Sequence, residues 1–409
     1  MKTSRASEPG PYLSAREAAA ELGVSVATLY AYVSRGLVRS EPVRGERAKR
    51  YRAEDVRALR ERRAPPPGDM PVERRAEALA WSRPVLASAI SLIDDGRLYY
   101  RGVDACELAR HASLETAAGL LWQTADYDAF SSENLPCMGP LLRQVIDATR
   151  GSHPIDRCIA ALAVGGRDDD GAFNRTDHGL ARAAARITRL MTALVAGCEL
   201  SAAPVHEQLA AAWGLDMKGR DLVRMALVLL ADHELNASTF TLRCAVSTGA
   251  NLYEGTIAAL AALKGPLHGG ATTRAAHQLE KLMQGDPLAR VREQAESGER
   301  FVGFGHPLYR DGDPRASALL DAVEARVGER FLTRDLPEQV RKAVGVLPTI
   351  DYALAVLARV LKLPPLAGIG LFAVGRSVGW AAHGREQMRA RTLIRPRATY
   401  VGPAPKSRG

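Results

Sequence analysis

Three consecutive prolines and a glycine, in Ala64-Pro65-Pro66-Pro67-Gly68, interrupt this chain. Prolines in series favour extended polyproline II and lack the amide hydrogens that a helix or a sheet ladder requires, so no regular element crosses this point. The 409 residues therefore divide into a short front piece, 1–63, a semi-rigid linker over 64–75, and a remainder long enough to form more than one packed unit.

The front piece is basic. Residues 1–63 hold 14 Lys and Arg against 8 Asp and Glu, so +6 of the net +9 lies there and the other 346 residues carry +3. An excess confined to one segment points to a local polyanion. Ser14 with Glu17 three residues later has the spacing of a capping box. Gly23 breaks that helix, Ser25 caps a second from about Val26 to Ser34, and Arg35-Gly36 ends it. Val38 to Arg52 has β-compatible pieces around Arg44-Gly45, and a basic helix is expected from about Glu54 to Arg63. Helix, glycine turn, helix and basic wing together resemble the MerR or excisionase type of winged helix-turn-helix. The resemblance implies a second helix in the major groove and basic residues on phosphates. Thr28, Tyr30, Tyr32, Arg35, Arg47, Lys49 and Arg50 are the expected DNA surface. Short helix pairs of this pattern also serve as protein-interaction modules.

Beyond the linker, Ala and Leu dominate long stretches and β-branched runs are few, which favours a mostly α architecture. No apolar run reaches the roughly 18–20 residues that span a bilayer, so no membrane association is expected. The N-terminus lacks the apolar core of a secretory signal. Cys106, Cys137, Cys158, Cys198 and Cys244 have no short pair spacing, which argues against zinc knuckles and disulfides and for the cytoplasm. His206-Glu207 has no second histidine at metalloprotease spacing, and Asp168-Asp169-Asp170 reads as a solvated loop, so no metal is expected.

Two short motifs mislead. Gly368-Ile369-Gly370-Leu371-Phe372-Ala373 matches a dinucleotide fingerprint, yet a helical segment and Pro364-Pro365 precede it where a strand is required. Gly375-Arg376-Ser377-Val378-Gly379 matches a nucleophile elbow, but no acid lies between Ser377 and His383 to complete a triad in the required order.

Four segments in the back half carry chemistry: ALKGPLHGGA, FVGFGHPLYRDGDPRA, LPTIDYALAVLARVL and LADHELNASTF. His268 and His306 each sit in a glycine-rich loop, where backbone can approach a ligand closely. Asp351 opens an apolar periodic run and suits either a helix N-cap or a general base. In this order the segments resemble those of citrate synthases and the related 2-methylcitrate synthases. The similarity extends over about 85–402 and includes AISLIDDGRLYYRGVD, FAVGRSVGWAAHGREQ and LIRPRATYVG.

The resemblance implies a two-domain helical fold, with a large domain from 76–270 and 366–409 and a lid from 271–365. It implies Claisen condensation of acetyl-CoA with oxaloacetate and hydrolysis of citryl-CoA, an acyltransferase chemistry needing no cofactor beyond its acyl-CoA substrate. Asp351 would be the base on the acetyl methyl, His268 the partner of the thioester carbonyl, and His306 the group polarising the ketone. His233, Arg315, Arg376 and Arg395 would bind oxaloacetate, Arg395 from the other subunit of a homodimer. Phe301, Val302, Gly303, Phe304 and Gly305 would meet the adenine of CoA, and Arg310 a phosphate. Thr272, Pro307-Leu308 and Ala353-Leu354 stand where the family commonly has other residues, which leaves the choice of acetyl-CoA or propionyl-CoA open. The rival expectation is a transcription regulator that uses the fold to sense oxaloacetate or acyl-CoA.

Overall fold

The computed structural model describes residues 12–22, 24–42, 49–52, 55–56, 59, 86–124, 126–398 and 400–403. Arg47, the turn at Arg44-Gly45, the 64–75 linker and most of the helix expected over 54–63 lie outside the described residues.

The front module opens with β1 (Tyr12–Ser14), α1 (Ala15–Leu22) and α2 (Val26–Ser34), followed by β2 (Ser40–Pro42) and β3 (Lys49–Arg52). The expected capping box forms: the Ser14 amide donates to Glu17 Oε2 at 2.8 Å and the Glu17 amide to Ser14 Oγ at 3.3 Å. Ser25 caps α2 by accepting from the Thr28 amide at 3.2 Å. The strands form an antiparallel sheet in the order β1-β3-β2, with Tyr51 opposite both Leu13 and Ser40. Ala18, Ala19, Leu29, Val38, Tyr51, Val56 and Leu59 make a small separate core.

The remainder begins with an antiparallel meander, β4 (Ser91–Asp94), β5 (Arg97–Tyr100) and β6 (Val103–Asp104). Asp95 and Gly96 both take positive φ, 45° and 71°, as the tight β4–β5 turn demands. From there the described chain is helical. α3 (Ala105–His111), α4 (Leu114–Trp122), α5 (Pro140–Ala148), α6 (Pro154–Asp168), α7 (Asp177–Ala196), α8 (Val205–Ala212), α9 (Met217–Leu230), α10 (Ala237–Ser247) and α11 (Leu252–Leu263) build the larger part. α12 (Gly270–Leu282), α13 (Pro287–Ser297), α14 (Pro314–Val327), α15 (Leu336–Val344) and α16 (Ile350–Val360) follow, before α17 (Ala367–Ala390) returns to the larger part.

α17 explains both misleading motifs. It is buried along nearly its whole length and packs against α4, α7, α9, α10 and α11, as a helix through the centre of a bundle must. Its glycines mark close approaches. A Cβ on Gly370 would lie 2.6 Å from Val195 Cγ1, and one on Gly379 would run into the Ala231 carbonyl, which accepts the Gly379 amide at 3.0 Å. The nucleotide-like and elbow-like glycines are packing contacts of one helix.

Asp169 corrects the expectation of a solvated acidic loop. It is buried, accepting from Tyr253 Oη at 2.8 Å and Arg186 Nη1 at 2.5 Å, and so joins three segments of the core.

Candidate active site

Each candidate side chain is set by local chemistry. α9 ends at Leu230, and the next turn carries His233 toward the loop 301–313. There His233 Nε2 meets Tyr309 Oη at 2.9 Å, and its ring stands edge-on to His306 with centroids 5.3 Å apart. The His306 loop is fixed by backbone. The Gly305 amide donates to Leu347 O and the Thr349 amide to Gly303 O, each at 2.8 Å, and Phe304 bridges Pro348. Gly303 and Gly305 take φ of 84° and 77°, and a Cβ on Gly303 would lie 3.0 Å from the Tyr352 amide nitrogen, so glycine is required where the two chain segments touch. This pairing places the His306 loop beside the start of α16, where Asp351 sits. Thr349 rather than Asp351 holds the N-cap position.

One carboxylate organises the cationic side. Asp313, itself buried, accepts from Arg315 Nε at 2.9 Å and Nη2 at 2.8 Å, and from the Ile350 amide at 3.0 Å. It therefore orients Arg315 and caps α16 from another segment. Arg376, on α17, donates from Nε to Leu230 O at 2.8 Å and is 1% exposed, while its Nη2 is buried with no partner among the described residues. A guanidinium left with unspent donors in a dry site is suited to a carboxylate ligand. Burial pushes its pKa down to about 10, and the field of Asp232 opposes that shift. Burial also works against charge on Arg315, but Asp313 more than offsets it and holds that guanidinium firmly protonated.

The histidines are neutral at pH 7. Burial lowers His268 to about 4, with Arg376 adding to it, and lowers His306 to about 4, with Arg315 adding to it. His233 falls well below its ordinary value through burial and then Arg315 and Arg376. Their ring protons can be placed. The Leu308 amide donates to His306 Nδ1 at 3.2 Å, so neutral His306 carries its proton on Nε2. His268 Nε2 meets Ser238 Oγ at 2.8 Å. That hydroxyl also receives the Trp380 indole N–H at 3.2 Å and donates to Asn236 Oδ1 at 2.8 Å. With the single Ser238 proton given to Asn236, His268 Nε2 donates to the hydroxyl; a hydroxyl turned to His268 instead would accept no ring proton there. The second arrangement puts the His268 proton on Nδ1.

Asp351 accepts from Thr272 Oγ1 at 2.5 Å through Oδ1 and from Thr349 Oγ1 at 3.4 Å through Oδ2. Burial raises its pKa against the Thr272 hydrogen bond and the field of Arg315. A carboxylate with raised basicity, two histidines that can donate while neutral, and two buried guanidiniums can abstract a proton, hold a developing oxyanion and fix carboxylates.

Other candidates lie apart. Phe301 and Phe304 are buried, with Phe304 4.7 Å from the Tyr352 ring, so their rings are spent on packing. Val302, Gly303 and Gly305 are half-buried, and Arg310 is exposed at the end of the loop. Arg395 is exposed in the C-terminal tail, which is pinned where the Ile394 amide donates to Ser247 Oγ at 3.1 Å. In the front module Tyr30 is 54% exposed, Arg35, Lys49 and Arg50 are exposed, Thr28 is half-buried, and Tyr32 packs on the small core. Arg50 pairs with Glu41 at 3.1 Å and stacks over Tyr12, and Arg52 pairs with the same Glu41 at 3.4 Å. Sequence reasoning missed Ser238, Tyr309 and Asp313. Only Asp313 left a trace, as an acid just before Pro314-Arg315 at a helix start. Among the described residues no three His, Cys, Asp or Glu side chains are placed to hold a metal, and no helix is long and apolar enough to cross a membrane.

The family model described as "Citrate synthase, C-terminal domain" matches residues 79–397, and one described as "Helix-turn-helix domain" matches 12–64. The chain is similar to the citrate synthase of Haloferax volcanii, at 33% identity over 78% of this chain and 93% of that one. It is also similar to the 2-methylcitrate synthase of Mycobacterium tuberculosis, at 30% identity over 75% and 84%. Among solved structures, citrate synthase from Thermotoga maritima superimposes with a TM-score of 0.69 at 27% identity, covering 81% of this chain and 97% of the other. The citrate synthase of Thermoplasma acidophilum, solved in ternary complex with carboxymethyl coenzyme A and oxaloacetate, superimposes with a TM-score of 0.68 at 26% identity, covering 82% of this chain and 98% of that one.

Proposed function

Because this chain belongs to the citrate synthase family and has citrate synthase-type function, we propose that it joins the methyl carbon of acetyl-CoA to the ketone of oxaloacetate and hydrolyses the citryl-CoA so formed. The ligands held by the Thermoplasma acidophilum enzyme support this choice of substrates.

Asp351 removes a proton from the acetyl methyl, and His268 donates from Nδ1 to the thioester oxygen on which charge develops. This role requires the Ser238 hydroxyl to turn from Asn236 Oδ1 and donate to His268 Nε2. The enol carbon attacks the oxaloacetate ketone, whose oxygen takes a hydrogen bond from His306 Nε2–H. Arg315 and Arg376 pair with the substrate carboxylates, His233 adds a polar contact, and Arg395 arrives from the partner of a homodimer. Water then cleaves the thioester, releasing CoA. Loop 301–305 and Arg310 take the CoA side. The lid is residues 271–365, and its closure excludes water from the enol step.

The unspent Nη2 of Arg376, buried within the field of Arg315, carries this reading. The homodimer is supported by α6 and α11, which pack side by side and leave Ala160, Ala163, Ala258 and Ala261 at or near the surface. Five free cysteines suit the cytoplasm.

The test is CoA release from acetyl-CoA plus oxaloacetate, with propionyl-CoA in parallel and Asp351→Ala as control. Release that the substitution abolishes supports the synthase and ranks the acyl substrates. Thermal stabilisation by oxaloacetate without release would favour the second reading, a regulator that senses substrate. The match over 12–64 and the exposed Tyr30, Arg35 and Lys49 support DNA binding by the front module in either case.

A further inference from the structure

Thr272 stands one turn into α12, 79 residues before Asp351, and is 1% exposed. Its hydroxyl reaches Asp351 Oδ1 at 2.5 Å, while a Cβ on Gly368 would lie 3.1 Å from its methyl. The side chain is therefore wedged between the base and the start of α17, with its rotamer set by packing. The other hydroxyl near the carboxylate, Thr349 Oγ1, is at 3.4 Å from Oδ2, a distance at which a hydrogen bond is weak.

We propose that Thr272 is a positioning residue for the condensation, holding Asp351 by Oδ1 so that Oδ2 is the oxygen that takes the substrate proton. The inference rests on Asp351 being the base. A hydroxyl that donates to a carboxylate favours its ionised form, so Thr272 also keeps Asp351 available as a base inside a dry site. Arg315 and Asp313 face the carboxylate from the start of α14 with opposing fields, and among the described residues neither bonds to Thr272.

The test compares Thr272→Val, which removes the hydroxyl and keeps the shape, with Thr272→Ser, which keeps the hydroxyl. The Asp351 carboxyl is titrated by difference infrared spectroscopy against Asp351→Asn, and the acid limb of kcat is followed in parallel. In Thr272→Val the midpoint and the limb should both rise by about one pH unit, with kcat falling and KM for oxaloacetate unchanged. Thr272→Ser should stay near the parent. An unmoved midpoint in Thr272→Val overturns the proposal, as does an equal shift in both variants, which would assign the effect to packing. The infrared titration reads the shift even in the absence of turnover. A parent protein with no CoA release would instead count against Asp351 as the base.

Discussion

Two regions of this molecule handle arginine in opposite ways. In the front module three arginines near the surface are paired locally: Arg39 is bonded to Asp55 at 2.8 Å, and Arg50 and Arg52 converge on Glu41. In the remainder, where the net charge is small for its length, Arg315 and Arg376 are buried almost completely. Of these two only Arg315 has a carboxylate partner among the described residues. Net charge along a sequence thus marks where a polyanion could be attracted, whereas an unspent buried donor marks where a small anion is held.

The largest effect on this contrast is expected from Arg376→Met. If the unspent donor exists for substrate, kcat/KM for oxaloacetate should fall by roughly a thousandfold. Thermal stability measured without ligand should stay level or rise, because an incompletely paired buried charge is removed. Loss of both fold and activity would show that Arg376 is structural.

The second test uses pH. His268 and His306, each lowered to about 4 in the folded protein, start from about 6.5 when unfolded. The unfolded chain therefore binds protons first as pH falls. The stability from keeping these rings neutral is whole above pH 6.5 and is lost progressively down to pH 4, by about 3 kcal/mol for each ring. Denaturant unfolding across that window should show the loss, and a His268→Gln, His306→Gln double variant should flatten it. An identical slope in the variant would remove burial of these rings as the cause.

A smaller effect is expected at Ser238→Ala, which deletes the hydroxyl bonded to His268 Nε2. Turnover should drop by about tenfold with KM for oxaloacetate unchanged. In the front module the effect is smaller still and reversed in sign. Glu41→Gln releases Arg50 and Arg52 from this carboxylate, so affinity for duplex DNA should rise a few-fold and depend more steeply on salt. Unchanged affinity and salt dependence would place the wing away from phosphate.

The sequence was most legible where local chemistry decides structure. Ser14 with Glu17 and Ser25 before Val26 specify helix starts within four residues, and both caps are present. His268 and His306 were legible because glycine-rich loops are poor surroundings for a core histidine. Tyr309, Ser238 and Asp313 were not, because their meaning comes from partners far along the chain: Tyr309 meets His233 across 76 residues, and Ser238 meets His268 across 30. Phe301 and Phe304 show the converse. Their motif gave them a place, but only tertiary packing revealed that their rings are turned inward. The Gly368–Gly379 run likewise gains its meaning from the neighbours that press on α17.

Asp313 brings together demands that proteins usually divide among several residues. The same carboxylate grips the Nε–Nη2 edge of Arg315 and closes the first turn of α16, which bears Asp351. A shorter, longer or neutral side chain there disturbs the guanidinium and the base in one stroke, and no second substitution elsewhere can mend both. Position 313 should therefore tolerate almost no replacement in a saturation library selected for turnover, matching the proton-abstracting position itself, although its side chain is wholly spent on the protein.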